Sequence, residues 1–117
     1  SHEILFLNQN QFLCEGAISN LFFVKDHVIH TPSIQCGLLP GIIRAEIIRL
    51  AKTNNLKLQT GKYTKTDLFN ADETFLTNSL IGIMPISKIE HKTWNPKKFT
   101  ITKTLTTVLM NTEHDEL

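Results

Sequence analysis

The strongest constraint in this sequence is a change of hydrophobic period at Leu38-Leu39-Pro40-Gly41. Before that point the apolar residues come in short β-favouring runs, at residues 3–7 and 20–24. Beyond it, Ile43, Ile47, Leu50 and Ala51 recur at the spacing of one helix face, with Arg44, Glu46, Arg49 and Lys52 on other sides. The run at 20–24 leads through Lys25-Asp26-His27 into Val28-Ile29-His30, the pattern of a hairpin turn and its return strand. Thr31-Pro32 ends it, because proline cannot donate to a ladder.

The rest of the chain follows from the same rules. A helix is predicted from Pro40 to Thr53, closed by Asn54-Asn55, and a short strand over Leu56 to Gly61. Thr64 reads as the N-cap of a brief helix through Leu68, and Glu73 to Thr77 as another strand. A second apolar run, Ile81 to Ile89, is interrupted by Gly82 and Pro85. A final helix over 98–110 directs Ile101, Leu105 and Val108 inward, although its threonines are poor helix formers, and the tail from Asn111 is expected to fray. Without repeats or linkers, this is one mixed α/β domain spanning residues 1–117.

Composition narrows the partners. Twelve basic and eleven acidic side chains give a formal charge of +1, and no segment concentrates one sign enough to attract nucleic acid or an anionic membrane. The longest apolar runs fall far short of the roughly 20 residues of a membrane helix, and residues 1–8 do not build a secretory h-region. Cys14 and Cys36, 22 residues apart, belong to no zinc or disulfide pattern and read as reduced, cytoplasmic thiols. The five histidines stand apart, without carboxylates at metal spacing, so no metal site is expected; Tyr63 and Trp94 read as packing residues.

Three stretches carry more than folding. Glu15-Gly16-Ala17-Ile18-Ser19-Asn20 puts one carboxylate before a buried strand, where it is either a surface loop residue or the partner of a cationic ring nitrogen. Leu39-Pro40-Gly41-Ile42-Ile43-Arg44 is either ordinary helix initiation or a phosphate site built from the free amides of a first helical turn. Phe75-Leu76-Thr77-Asn78-Ser79-Leu80-Ile81-Gly82 is either a turn with local hydrogen bonds or a strand end offering a hydroxyl and an amide to phosphate.

In this order and spacing the three stretches are far more specific than any one alone. E-G-x-x-S-N-L-F-F-V-K-D, then T-P, then L-P-G-I-x-R, then A-D-E-x-F-L-T-N-S-L-x-G-I-x-P resembles the fold-type IV, pyridoxal-phosphate-dependent family that includes branched-chain and D-amino-acid aminotransferases and aminodeoxychorismate lyase. The resemblance runs from Glu3 to Ile89. It implies a barrel-like mixed sheet with flanking helices, a homodimer and pyridoxal 5′-phosphate as cofactor. It also implies that Glu15 faces the pyridine nitrogen and that Ile42, Ile43, Ser79 and Leu80 cradle the phosphate. Ile43 replaces the family's threonine, so one hydroxyl donor is missing, a hydrogen bond worth about 1.5 to 3 kcal/mol when the acceptor is charged.

The family's Schiff-base lysine lies farther upstream of the glutamate than the fourteen residues preceding Glu15, so no catalytic residue is expected in this chain. With the strand-like start at Glu3, this predicts the C-terminal, cofactor-holding part of a longer enzyme, the small N-terminal domain being absent and the part inactive alone. Thr77 to Pro85 is worded more like the lyase, which eliminates pyruvate from 4-amino-4-deoxychorismate to give 4-aminobenzoate for folate synthesis, than like the aminotransferases. Transamination of a branched-chain or D-amino acid, and a non-catalytic binding or dimerisation domain, are the alternatives.

Overall fold

Leu21, Phe22, Phe23 and Val24 are apolar at consecutive positions, so the strand that contains them has two faces to bury rather than one. The computed structural model describes residues 6–7, 13–14, 19–33 and 41–115, with the backbone alone for 6–7, 13–14 and 113–115. In it that strand, β3 (Asn20–Lys25), lies at the centre of a five-stranded sheet, between β4 (Val28–Pro32) and β6 (Glu73–Asn78). Two short strands, β1 (Phe6–Leu7) and β2 (Leu13–Cys14), pair separately.

The hairpin from β3 to β4 turns as expected, with Asp26 and His27 both at positive φ. Two such residues give a turn whose twist matches the strands it joins, and the Asp26 amide donates to Asp72 Oδ2 at 3.0 Å. Helix α1 (Ile42–Thr53) crosses back over the sheet to β5 (Lys57–Gly61), which runs parallel to β4. Its Ile47, Leu50 and Ala51 are buried, and Asn54 closes it by donating from Nδ2 to the Leu50 carbonyl at 2.8 Å. Helix α2 (Lys65–Phe69) starts on the anticipated Thr64 cap, completed by Asp67, whose carboxylate accepts from the Thr64 amide at 2.9 Å.

Strand β7 (Gly82–Pro85) pairs with β6, giving the order β5-β4-β3-β6-β7. The sheet is open among the described residues. The barrel-like sheet implied by the resemblance is corrected here: no pairing joins β5 to β7, and both are edges. The rest of the Ile81 to Ile89 run forms β8 (Lys88–Ile89), which turns through Glu90 onto β9 (Lys92–Thr93). A 3-10 turn (Pro96–Lys98) leads into helix α3 (Thr100–Asp115).

The two sheet faces bury different cores. Phe22, Val24, Ile29 and Phe75 meet α1 and α3 on one, with the Phe22 and Phe75 rings stacked 5.0 Å apart. Leu21 and Phe23 meet Leu68, Ala71, Ile86 and Ile89 on the other, where Trp94 donates to the Ala71 carbonyl at 2.9 Å.

Helix α3 continues to Asp115 instead of fraying from Asn111. Its threonines do not break it, because Thr104, Thr106 and Thr112 return their hydroxyls to carbonyls four residues earlier. Its start is held from across the fold by the buried Glu73, whose carboxylate accepts from the Ile101 amide at 3.2 Å, the Thr102 amide at 2.8 Å and the Thr102 hydroxyl at 2.7 Å. A carboxylate there answers both the unpaired amides and the positive end of the helix. Glu73→Gln loses the charge and one acceptor, so it is expected to lower unfolding free energy by about 2 to 3 kcal/mol, read by urea titration; an unchanged midpoint would refute the cap.

Candidate functional site

A helix that returns from one parallel strand to the next begins at the carboxyl end of the first. Strand β4 ends at Pro32 and α1 starts at Ile42, over the end of the sheet where β3 begins at Asn20, β6 ends at Asn78 and β7 begins at Gly82. Two of the three stretches singled out in the sequence thus come to one end of the sheet. Glu15, with Cys36 and residues 38–40, lies outside the described residues, as do His2 and the side chain of His114.

The start of α1 is pinned by its neighbours and open at its tip. Arg44 Nη2 donates to the Pro32 carbonyl at 3.1 Å. Gly41 packs so closely on β3 that a Cβ there would stand 2.5 Å from Asn20 Oδ1 and 2.9 Å from Arg44 Cβ. Among the described residues no side chain caps the helix, and its first turn carries no acid. The first helical bond runs from the Ala45 amide to the Gly41 carbonyl, so the Ile42 and Ile43 amides have no acceptor within the helix. Ile42 is 68% exposed, whereas Ile43 packs on the helix-side core. By contrast α2 is capped by Thr64, the 3-10 turn by Asn95, and α3 by Glu73.

The turn between β6 and β7 holds Ser79 and Leu80, both exposed, Leu80 at 95%. Asn78 Oδ1 accepts from the Leu80 amide at 3.0 Å and the Ile81 amide at 2.8 Å. An anion therefore reaches the Leu80 amide only by displacing a carboxamide oxygen. Ile42, Leu80 and Ile81 leave large apolar groups in solvent, as does Met110 on α3.

Two residues of this end had no role in the sequence reading. Asn20 is the register partner of Thr77, and both are buried on the helix side of the sheet. Each stands within a stretch that drew attention, but only strand pairing shows that they are neighbours.

The other face carries His30 and Tyr63, with His30 Nδ1 and the Tyr63 hydroxyl 3.0 Å apart and both rings against Phe23. Burial lowers the His30 pKa, opposed by Asp67, and raises that of Tyr63. This is packing, as read for Tyr63; His30 is the one histidine of the described side chains drawn into a core, His27 and His91 being exposed. Among the described residues no three His, Cys, Asp or Glu side chains gather as metal ligands, and no helix is long and apolar enough to cross a membrane.

Residues 1–89 match the model of the amino-transferase class IV family. The aminodeoxychorismate lyase of Bacillus subtilis (strain 168) is 44% identical over 88 residues, covering 75% of this chain and 30% of the relative. The solved 4-amino-4-deoxychorismate lyase of Pseudomonas aeruginosa superposes with a TM-score of 0.82 at 29% identity, over 92% of this chain and 39% of that one. The solved branched-chain amino acid aminotransferase of Escherichia coli gives 0.82 at 31% identity, over 91% of this chain and 36% of that one. The chain thus spans about a third of the length of the relatives it matches.

The contact of Gly41 with Asn20 can be measured apart from any ligand. Gly41→Ala forces Asn20 aside and is expected to cost about 1 to 2 kcal/mol of stability, overpacking outweighing the smaller entropic gain from alanine. Asn20→Ala in the same chain should recover at least half of that loss; a strictly additive double variant would refute the contact.

Proposed function

The chain belongs to the amino-transferase class IV family, and from that premise we propose that it is the cofactor-holding part of a longer, cytoplasmic pyridoxal-phosphate-dependent enzyme. The observation that carries this reading is the uncapped start of α1 at the same sheet end as the Ser79-Leu80 turn. The donor set suits a phosphate: the Ile42 and Ile43 amides, the helix dipole behind them and the Ser79 hydroxyl, with no carboxylate in the first turn of α1. Bound there, pyridoxal phosphate supplies an electron sink for a substrate carbanion.

In this reading the residues of the chain bind and orient. Ile42, Ile43 and Ser79 hold the phosphate; Leu80 joins them when Asn78 releases its amide. Glu15 keeps the ring nitrogen protonated. The lysine that moves the proton and the small domain that completes the pocket belong to the remaining length of the relatives.

For the whole enzyme we favour aminodeoxychorismate lyase, which converts 4-amino-4-deoxychorismate to 4-aminobenzoate and pyruvate. The Asn78-Ser79-Leu80 wording and the 44% identity to the Bacillus lyase support it. Branched-chain transamination is the second reading, supported by an equal structural likeness to an aminotransferase. Exposed Ile42, Leu80, Ile81 and Met110 support association as a homodimer.

Pyridoxal phosphate added to the purified chain should bind and raise its melting temperature, while borohydride reduction followed by mass analysis should find no stoichiometric lysine adduct. A single stoichiometric adduct would mean that a lysine of this chain holds the cofactor, which sinks the assignment of that role to another segment. The chain extended to the relatives' length should release 4-aminobenzoate from 4-amino-4-deoxychorismate; release of none, with transfer of an amino group from leucine, would select the second reading. Sedimentation of the extended chain at monomer mass would dispose of the homodimer.

A further inference from the structure

Thr77 is 1% exposed, and its Oγ1 is buried without a hydrogen-bond partner. The other buried threonines are satisfied: the Thr31 hydroxyl donates to the Leu21 carbonyl at 2.8 Å, Thr74 to the Ile86 carbonyl at 3.3 Å and Thr102 to Glu73 at 2.7 Å. An unpaired buried hydroxyl is costly and needs an explanation. Its position supplies one. Thr77 is paired in register with Asn20 on the sheet face that carries α1, and the Asn20 carboxamide oxygen is packed on Gly41, immediately before the open amides of Ile42 and Ile43. One residue farther along the chain, Asn78 begins the turn that holds Ser79.

We propose that the Thr77 hydroxyl is a further donor of the anion site, gaining its acceptor when a phosphate group, with the water it carries, settles over the start of α1. This rests on the reading of that sheet end as a phosphate cup. The group is a buried donor without a partner, at the sheet end where no described side chain caps α1. It takes no part in proton transfer; it binds.

The proposal has opposite consequences for the empty and the filled site. Thr77→Val keeps the shape and removes the hydroxyl. Without ligand, the melting temperature of the variant should rise by about 4 °C, because a buried unpaired group is gone. With inorganic phosphate or pyridoxal phosphate as the probe, its affinity should fall by about tenfold or more. Should the valine variant not fold, Thr77→Ser and Thr77→Ala give the same comparison, since both lose the methyl and one keeps the hydroxyl; serine should hold wild-type affinity within about twofold while alanine loses about tenfold. Equal affinities with and without the hydroxyl, in a protein whose wild type binds both probes, would overturn this inference and leave the cup standing. A wild type that binds neither probe would overturn both.

Discussion

The pairing of β3 with β6 is the constraint on which the rest of the structure depends. Side chains alternate across a sheet, so a slip of one residue would send each of them to the opposite face. In the register found, Asn20, Phe22 and Val24 stand opposite Thr77, Phe75 and Glu73 on the helix side. Three alternate residues of one strand then do three jobs. Glu73 caps α3, Phe75 stacks on Phe22 at the centre of the core, and Thr77 pairs with the Asn20 that packs on Gly41 before α1. Anchoring α3 and seating α1 are therefore not separate problems, since both helices are referred to the same strand through fixed side-chain positions.

That dependence explains what could be read from the sequence. The hairpin at Lys25-Asp26-His27, the face of α1 that carries Ile47, Leu50 and Ala51, and the Thr64 cap are all local, with causes within a few residues of their effects. The anchoring of α3 is not local. Its start is held by Glu73, 28 residues before Ile101, which no periodicity connects to it. Strands β8 and β9, at two residues each, are too short to show alternation at all. The implied barrel failed for a related reason, because closure is a property of which strands meet and no single segment records it.

The candidate site was legible as stretches and illegible as a place. Gly41, Ile42 and Ile43, and Ser79 and Leu80, were singled out by residue type and order. That they belong to one end of the sheet follows from the return of α1 from β4 and from the Asn20 to Thr77 register. The engagement of the Leu80 amide by Asn78 is the turn with local hydrogen bonds that the sequence offered beside the phosphate reading of the same stretch.

The remaining step concerns how stability is distributed. Most polar groups that this fold removes from water have been given partners: Glu73 has three donors, Thr31 and Thr74 have carbonyls, and α2 has a reciprocal cap. Among the described residues the exceptions gather where α1 begins, with the uncapped amides, the Thr77 hydroxyl and the apolar side chains of Ile42, Leu80 and Ile81 left in solvent. A chain selected for its own stability alone would remove the idle hydroxyl cheaply, with a valine at position 77. Leaving donors open at one end of the sheet makes physical sense when the missing acceptor comes from outside the chain, and its free energy of binding then offsets the stability withheld there.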